Sequence, residues 1–185
     1  ALPQLNGARE DATRYGIALA ELQTGQVVQA TQSLGELLKK EPTRITYVML
    51  AADIAVAEKD YDKALKILTE NLRINPDNHP LTMAYATTLT KAGQYANAAD
   101  VLEKHAIGYP DEMQLWYDLA EVQGLAGNIS KVHQARAEYF ISTGEFARAR
   151  DQINFALGLE TDRLSVARLK QRLDYIRQIE NEFYR

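Results

Sequence analysis

Cysteine is absent from this 185-residue chain. Disulfides and thiolate metal sites are therefore excluded, and composition leaves the redox compartment open. Glycine and proline are few, at 10 and 5 residues, and fall mostly at intervals suited to turns. No run of about 18 apolar residues occurs, so no segment reads as a membrane-spanning helix. Excess positive charge is missing too. Lys and Arg number 21 against 25 Asp and Glu, a formal net charge of −4, without the basic footprint that nucleic-acid binding leaves. Ala1 opens the chain with neither a methionine nor a signal peptide, a beginning expected of an excised fragment or a processed product. What is present, 46% hydrophobic and 25% charged residues, is ordinary globular usage in a chain long enough to bury a core.

Catalytic constellations are missing as well. His79, His105 and His133 are widely separated and none belongs to an H-E-x-x-H pair. No Ser or Cys nucleophile sits in a recognisable elbow, and no glycine-rich loop could cradle phosphate. Asp60-Tyr61-Asp62 is acidic and turn-like but lacks a calcium-binding loop. Asn128-Ile129-Ser130 matches a glycosylation sequon, a pattern too short to carry weight. The chain by itself reads as no enzyme.

A repeat fills the space these absences leave. Pro42, Pro76 and Pro110 stand 34 residues apart, each after an apolar, alanine-rich stretch. Other positions keep the same step: Ala30, Ala64 and Ala98 twelve residues before each proline, and Leu34, Leu68 and Leu102 eight before. Gly25, Gly93 and Gly127 mark turns, with Lys59 replacing glycine in the second repeat. Tyr61 and Tyr95 follow the turn by two residues, and Trp116, Leu119 and Ala120 suit a fourth first helix. Thirty-four residues is the period of the tetratricopeptide (TPR) helix–turn–helix unit. The predicted fold is all-α, a right-handed superhelical solenoid of antiparallel helix pairs with about ten helices and a C-terminal cap.

Turns and caps give the boundaries. Helix pairs are predicted at about 8–24 and 27–40, 44–58 and 61–74, and 79–92 and 95–107, with Thr43, Asn78 and Asp111 as N-terminal signals. His105 falls where repeats place a small packing residue and reads as a partly buried structural histidine. Residues 1–7 read as a disordered lead-in to one domain, 8–185, with repeats at about 11–42, 43–76, 77–110 and 111–143. Gly144 follows Gly127 by only half a period, so the helix at 129–143 is expected to serve also as first helix of an overlapping repeat, 129–161. A last helix, 162–183, places Val166, Leu169, Leu173, Ile176 and Phe183 on one stripe and is expected to cover the open end of the stack.

Such a stack holds other polypeptides in the groove lined by its first helices. Counting inward positions gives Tyr15, Met49, Asp53, Met83, Thr87, Lys91, Tyr117 and Glu121 as candidate binding residues. Methionine repacks readily and tyrosine buries area at low entropy cost, which suits adaptable contact with a helix or extended segment. Leu19, Leu22, Val56 and Leu125 count inward too, and the aliphatics also fit simple packing against neighbouring helices. TPR adaptors that grip a C-terminal carboxylate carry Lys and Asn at set groove positions. Here those positions hold Tyr15, Leu19, Met49 and Asp53, with only Lys91 of the expected sign. The outer side of the last helix is basic, with Arg163, Arg168, Lys170, Arg172 and Arg177. It reads either as a solvated face or as a docking face for an acidic partner.

The stretches RYGIALAELQTGQVVQATQSLGELLKKEP, QLWYDLAEVQGLAGN, ARAEYFISTGEFARARDQINFAL and ARLKQRLDYIRQIENEF carry a narrower resemblance. From about Arg14 to Phe183 the chain resembles the C-terminal TPR half of the BepA-like family of bacterial periplasmic zinc metalloproteases. The resemblance implies a non-catalytic module in the periplasm that packs against its own protease domain. It implies docking on the outer-membrane β-barrel assembly machinery and its misfolded or stalled clients. Zinc is expected in the upstream protease domain; this chain carries no zinc motif and no cofactor is expected in it. The alternative is a free-standing TPR scaffold in envelope assembly or secretion.

Overall fold

The computed structural model describes the backbone of residues 2–184 and the side chains of residues 7–184. Among these residues ten helices follow one another and no strand occurs: α1 (Leu2–Gln23), α2 (Val27–Lys40), α3 (Ile45–Ala57), α4 (Tyr61–Ile74), α5 (His79–Lys91), α6 (Tyr95–Ala106), α7 (Met113–Leu125), α8 (Ile129–Ser142), α9 (Phe146–Leu159) and α10 (Arg163–Phe183). They divide into two compact units, residues 1–93 with α1–α5 and residues 94–185 with α6–α10. The boundary falls at a turn inside the third predicted repeat. Elements of a helix stack touch only their neighbours, so compactness marks no particular repeat edge.

The turns explain why the spacing of the glycines sets the helix ends. Gly25, Gly93, Gly127 and Gly144 all take left-handed backbone, with φ of 77°, 75°, 78° and 76°, and Lys59 takes φ 61° at the equivalent place. In four of the five turns a backbone N–H reaches the carbonyl five residues back: Gln26 to Glu21, Asp60 to Ala55, Asn128 to Gln123 and Glu145 to Phe140, at 2.8–2.9 Å. This is the six-to-one bond of a Schellman ending, which satisfies orphan carbonyls at a helix end. Lys59 adopts it at the cost of its Cβ, about 1–2 kcal/mol for a non-glycine residue.

Three boundary expectations need correction. α1 reaches back to Leu2 across the predicted lead-in; Pro3 sits in its first turn, where a missing N–H breaks no helix bond. α3 starts from Arg44, not Thr43, and α7 from Glu112, not Asp111, and neither cap residue offers a side-chain acceptor to the helix. Packing against neighbours replaces the cap in holding these ends. Asn78 does cap α5, accepting from the Leu81 N–H at 3.1 Å with Pro80 in the first turn.

In the unit of residues 1–93, α2 packs on α1 and α3, and α4 on α3 and α5; the first helices α1, α3 and α5 also meet in order. Ala30 and Ala64, the predicted close-approach positions, are fully buried, and Leu34 and Leu68 fill the adjoining core. One cluster gathers Ala18, Leu34, Leu37, Tyr47, Leu50 and Ile54; another gathers Val48, Ala52, Ala55, Leu68 and Leu81.

In the unit of residues 94–185, α8 packs on both α7 and α9, and α10 covers α9. Leu169, Leu173 and Ile176 of α10 are buried against Ala137, Phe146, Ala149, Ile153 and Ala156. Phe183, expected on the same stripe, is instead 67% exposed and touches the Phe146 ring edge-on at 5.4 Å. Phe146 is the first residue of α9, so α10 runs past its support at that end; Ile179 takes the last packed position.

Candidate functional site

The inward positions of the unit of residues 1–93 split between packing and exposure. Tyr15 is half-buried and packs against the Leu34–Leu50 cluster, its ring 5.7 Å from that of Tyr47. The Arg44 guanidinium lies over Tyr47 at 4.7 Å, so this aromatic pair is braced as structure. Met49 is half-buried against the second cluster, and Met83 is half-buried on α5. Leu22 and Val56 pack on the core, whereas Leu19 is exposed. Asp53, Thr87 and Lys91 are exposed. Partial burial pushes the Asp53 carboxyl above its ordinary range, and the positive charge of Lys91 pulls it back. An acid on α3 and a base on α5 thus sense one another across one face, with Met49 and Met83 beside them in the sequence of inward positions.

The unit of residues 94–185 gives the inward positions a different setting. Tyr117 is 57% exposed on α7 and Glu121 is exposed one turn further on. Both line a pocket of about 330 Å³ with Trp116 and Ala120 of the same helix. The opposite wall comes from α8: Arg136, Tyr139 and Phe140. Tyr117 meets Tyr139 edge-on at 6.4 Å, and Tyr139 meets Phe140 edge-on at 5.6 Å. The Trp116 indole N–H donates to the Pro110 carbonyl at 2.7 Å, which fixes the ring through the repeat's own proline turn. Asp118, beside Glu121 on α7, has its carboxyl pushed up by burial; the Gln114 amide opposes that shift and the Glu121 charge adds to it.

Arg136, Tyr139 and Phe140 lie outside the sequence candidates. The inward count covers α1, α3, α5 and α7 alone, although the half-period step makes α8 a first helix as well as a second; that step and the aromatic pair Tyr139-Phe140 are the available signals that one of its faces is open. Gln123 escapes the sequence reading also. It is 1% exposed, donates to Glu103 at 2.6 Å and accepts from Asn128 at 2.8 Å, while Lys131 reaches Glu103 at 2.8 Å. These bonds fix α6, α7 and α8 to one another, because a buried amide left unpaired costs about 1–3 kcal/mol. The hollow of about 410 Å³ that they border, with Glu138 and Arg168, is polar and internally bonded.

The basic face of α10 is smaller than the sequence suggested. Arg172 is half-buried and grips Glu138 of α8 with two hydrogen bonds, one from Nε at 2.7 Å, and its guanidinium lies over Tyr175 at 4.5 Å. A half-buried guanidinium takes the nearest carboxylate, so Arg172 ties the capping helix down and leaves the docking face. Arg177 pairs with Asp174 at 3.0 Å. Arg163, Arg168 and Lys170 stay exposed. His105 is half-buried and stacks on Tyr109 at 4.4 Å. Among the described residues no three His, Cys, Asp or Glu converge as metal ligands, and no helix is long and apolar enough to cross a membrane.

Comparison with known proteins agrees with the repeat. The tetratricopeptide repeat family matches residues 55–129. The chain is 28% identical over 181 residues to the β-barrel assembly-enhancing protease of Escherichia coli strain K12, covering 96% of this chain and 37% of that protein. The Yersinia pestis protein of the same name is 25% identical over 174 residues, covering 93% of this chain and 36% of its own length. The chain therefore spans little more than a third of the length of these relatives. Among solved structures, MamA residues 41 to the end from Desulfovibrio magneticus RS-1 superposes with a TM-score of 0.62 at 17% identity, covering 92% of this chain and 96% of that one. A thermophilic TPR protein of Thermus thermophilus gives 0.56 at 16% identity, covering 90% and 98%. Those likenesses concern the fold, an all-α TPR array similar to part of a β-barrel assembly-enhancing protease.

Proposed function

We propose that this TPR array is the non-catalytic protein-binding module of a periplasmic zinc metalloprotease. In this reading it docks the protease to the outer-membrane β-barrel assembly machinery and to that machinery's stalled or misfolded clients. The observation that carries the proposal is the extent of the similarity. Nearly the whole chain matches proteins named for enhancing β-barrel assembly, yet it spans 37% of their length and contains no H-E-x-x-H motif. Chemistry would then reside outside these residues, and recognition within them.

The side chains support a binding role. Helix stacks offer surfaces for polypeptides and bring no reaction of their own. Here exposed inward residues combine an aromatic surface (Tyr117), a residue type enriched at binding hot spots, with charges (Asp53, Lys91, Glu121) of the kind that set specificity. Clients caught during assembly differ in sequence, and methionines such as Met49 and Met83 adapt to varied apolar partners.

Site-specific photocrosslinking in cells carrying the full-length parent protein tests this. A photoreactive residue at Asp53, Lys91 or Glu121 is expected to capture components of the barrel-assembly machinery and unfolded barrel proteins. Capture confined to soluble secretion or envelope factors would overturn the docking role in favour of a free-standing scaffold. Reading the parent gene upstream of Ala1 supplies a second check: a signal peptide followed by H-E-x-x-H is expected.

A further inference from the structure

The pocket between α7 and α8 has a composition that narrows what it can hold. Tyr117, Tyr139 and Phe140 form a connected aromatic run through edge-on contacts, and Trp116 extends the lining. At about 330 Å³ it lies at the small end of ligand-pocket sizes, room for one large side chain and not for a helix. Aromatic walls favour an aromatic guest, because ring edges and faces attract one another beyond simple area burial.

Two charges of opposite sign stand at the same lining. Glu121 and Arg136 are exposed, and among the described residues neither is ion-paired. Neighbouring charges in this unit are engaged internally: Lys131 with Glu103 at 2.8 Å, Arg148 with Glu145 at 2.7 Å, Arg150 with Glu180 at 2.9 Å, and Arg172 with Glu138. Glu121 has Asp118 as its like-charged neighbour on α7, so a cation approaching there relieves repulsion. Arg136 presents a guanidinium suited to a carboxylate.

We propose that this pocket receives one aromatic side chain of a peptide segment whose flanks carry a basic residue for Glu121 and an acidic residue for Arg136. The proposal rests on the reading of the chain as a protein-binding module and names what one of its sites recognises. The aromatic anchor supplies most of the affinity, as buried aromatics do at interface centres. The two rim charges set the direction in which the segment lies, since exposed charges contribute specificity more than affinity.

Trp116 is the sole tryptophan of the chain and lines the pocket, so its emission reports occupancy. The probes are acetylated, amidated peptides Lys-Ser-Phe-Ser-Glu and Glu-Ser-Phe-Ser-Lys, together with versions bearing Ala in place of Phe. One charge order is expected to bind several-fold more tightly than the other with a saturable change in Trp116 emission, and the Ala versions at least tenfold more weakly. The double variant Glu121→Arg, Arg136→Glu is expected to invert the preferred order. Equal binding of the Phe and Ala peptides, no emission change, or an order preference that survives the double variant would overturn the proposal. Both substituted positions are exposed, and circular dichroism of the variant is the check that it folds. This failure is separable from failure of the docking role: captured barrel-assembly partners with no peptide binding would sink the pocket alone, whereas peptide binding without those partners would sink the docking role alone.

Discussion

In residues 1–93 the inward face offers Met49, Asp53, Met83, Thr87 and Lys91, pliable thioethers with single charges that partly offset one another. In residues 94–185 the corresponding helix carries Tyr117 and Glu121, and α8 closes beside it with Arg136, Tyr139 and Phe140 to make a defined aromatic pocket. The two units share turn geometry down to the left-handed residue at each helix-pair turn. They differ in the side chains that the second helix brings beside the first. Like α2 and α4, α8 packs on the helices before and after it, but it carries Arg136, Tyr139 and Phe140 where they face Tyr117 and Glu121. Repeat spacing fixes where side chains are displayed; the residues that stand there decide whether a site has walls on two sides.

The comparison can be broken hardest at the C-terminal end. Removing residues after Thr161 takes away α10 and uncovers Phe146, Ile153 and Ala156. The unit of residues 94–185 is then expected to lose its cooperative melting transition and aggregate, seen by light scattering, while residues 1–93 keep their helix signal. A monomeric truncated chain of unchanged stability would show that α10 is no cap. Next in size, Leu68→Ala and Ile153→Ala each remove a fully packed side chain, one from each unit. Each should cost about 2–5 kcal/mol in urea unfolding. A much cheaper Ile153→Ala would mean that the irregular unit is loosely packed.

Smaller effects sharpen the contrast. Arg172→Ala breaks a two-pronged, half-buried contact between α10 and α8 and should cost about 1–3 kcal/mol. Arg177→Ala, exposed beside Asp174, should stay within about 0.5 kcal/mol. Lys59→Gly should make the second turn like the other four and raise stability by about 0.5–1 kcal/mol, the steric relief less the extra chain entropy of glycine. A loss on this substitution would show that the lysine side chain does more than occupy the turn. The smallest effect concerns Asp53. Its carboxyl titrates above the ordinary value of 3.8 in the folded chain, so its contribution to stability is fully present below that value and is lost as pH rises through the folded pKa. Asp53→Asn should therefore melt slightly higher than the parent at neutral pH, with the difference vanishing in acid.

Much of the architecture was legible residue by residue. Gly25, Gly93, Gly127 and Gly144 announce turns because only glycine enters left-handed backbone without cost, and Asn78 announces a cap because its side chain bonds locally. Ala30, Ala64 and Ala98 announce contacts because a small side chain recurring at the repeat period marks a close approach, and all three are fully buried. The candidate sites were less legible. Tyr15 and Tyr117 count to the same inward position, yet one ring is braced against Tyr47 and the other is exposed beside a pocket. Arg172 and Arg177 share one basic helix, yet one is engaged by another helix and the other by its own. The N-cap signals at Thr43 and Asp111 failed, the helices starting from Arg44 and Glu112, because tertiary packing outweighs a single capping bond.

By itself the sequence determined the helix order, the turns and the core positions, since each depends on interactions within a few residues and on a repeating period. Only the tertiary structure decided which side chains are available. Glu138 takes Arg172 from 34 residues away while Arg136, two residues from Glu138, is left to the pocket. That choice depends on distances between helices, which no local pattern encodes.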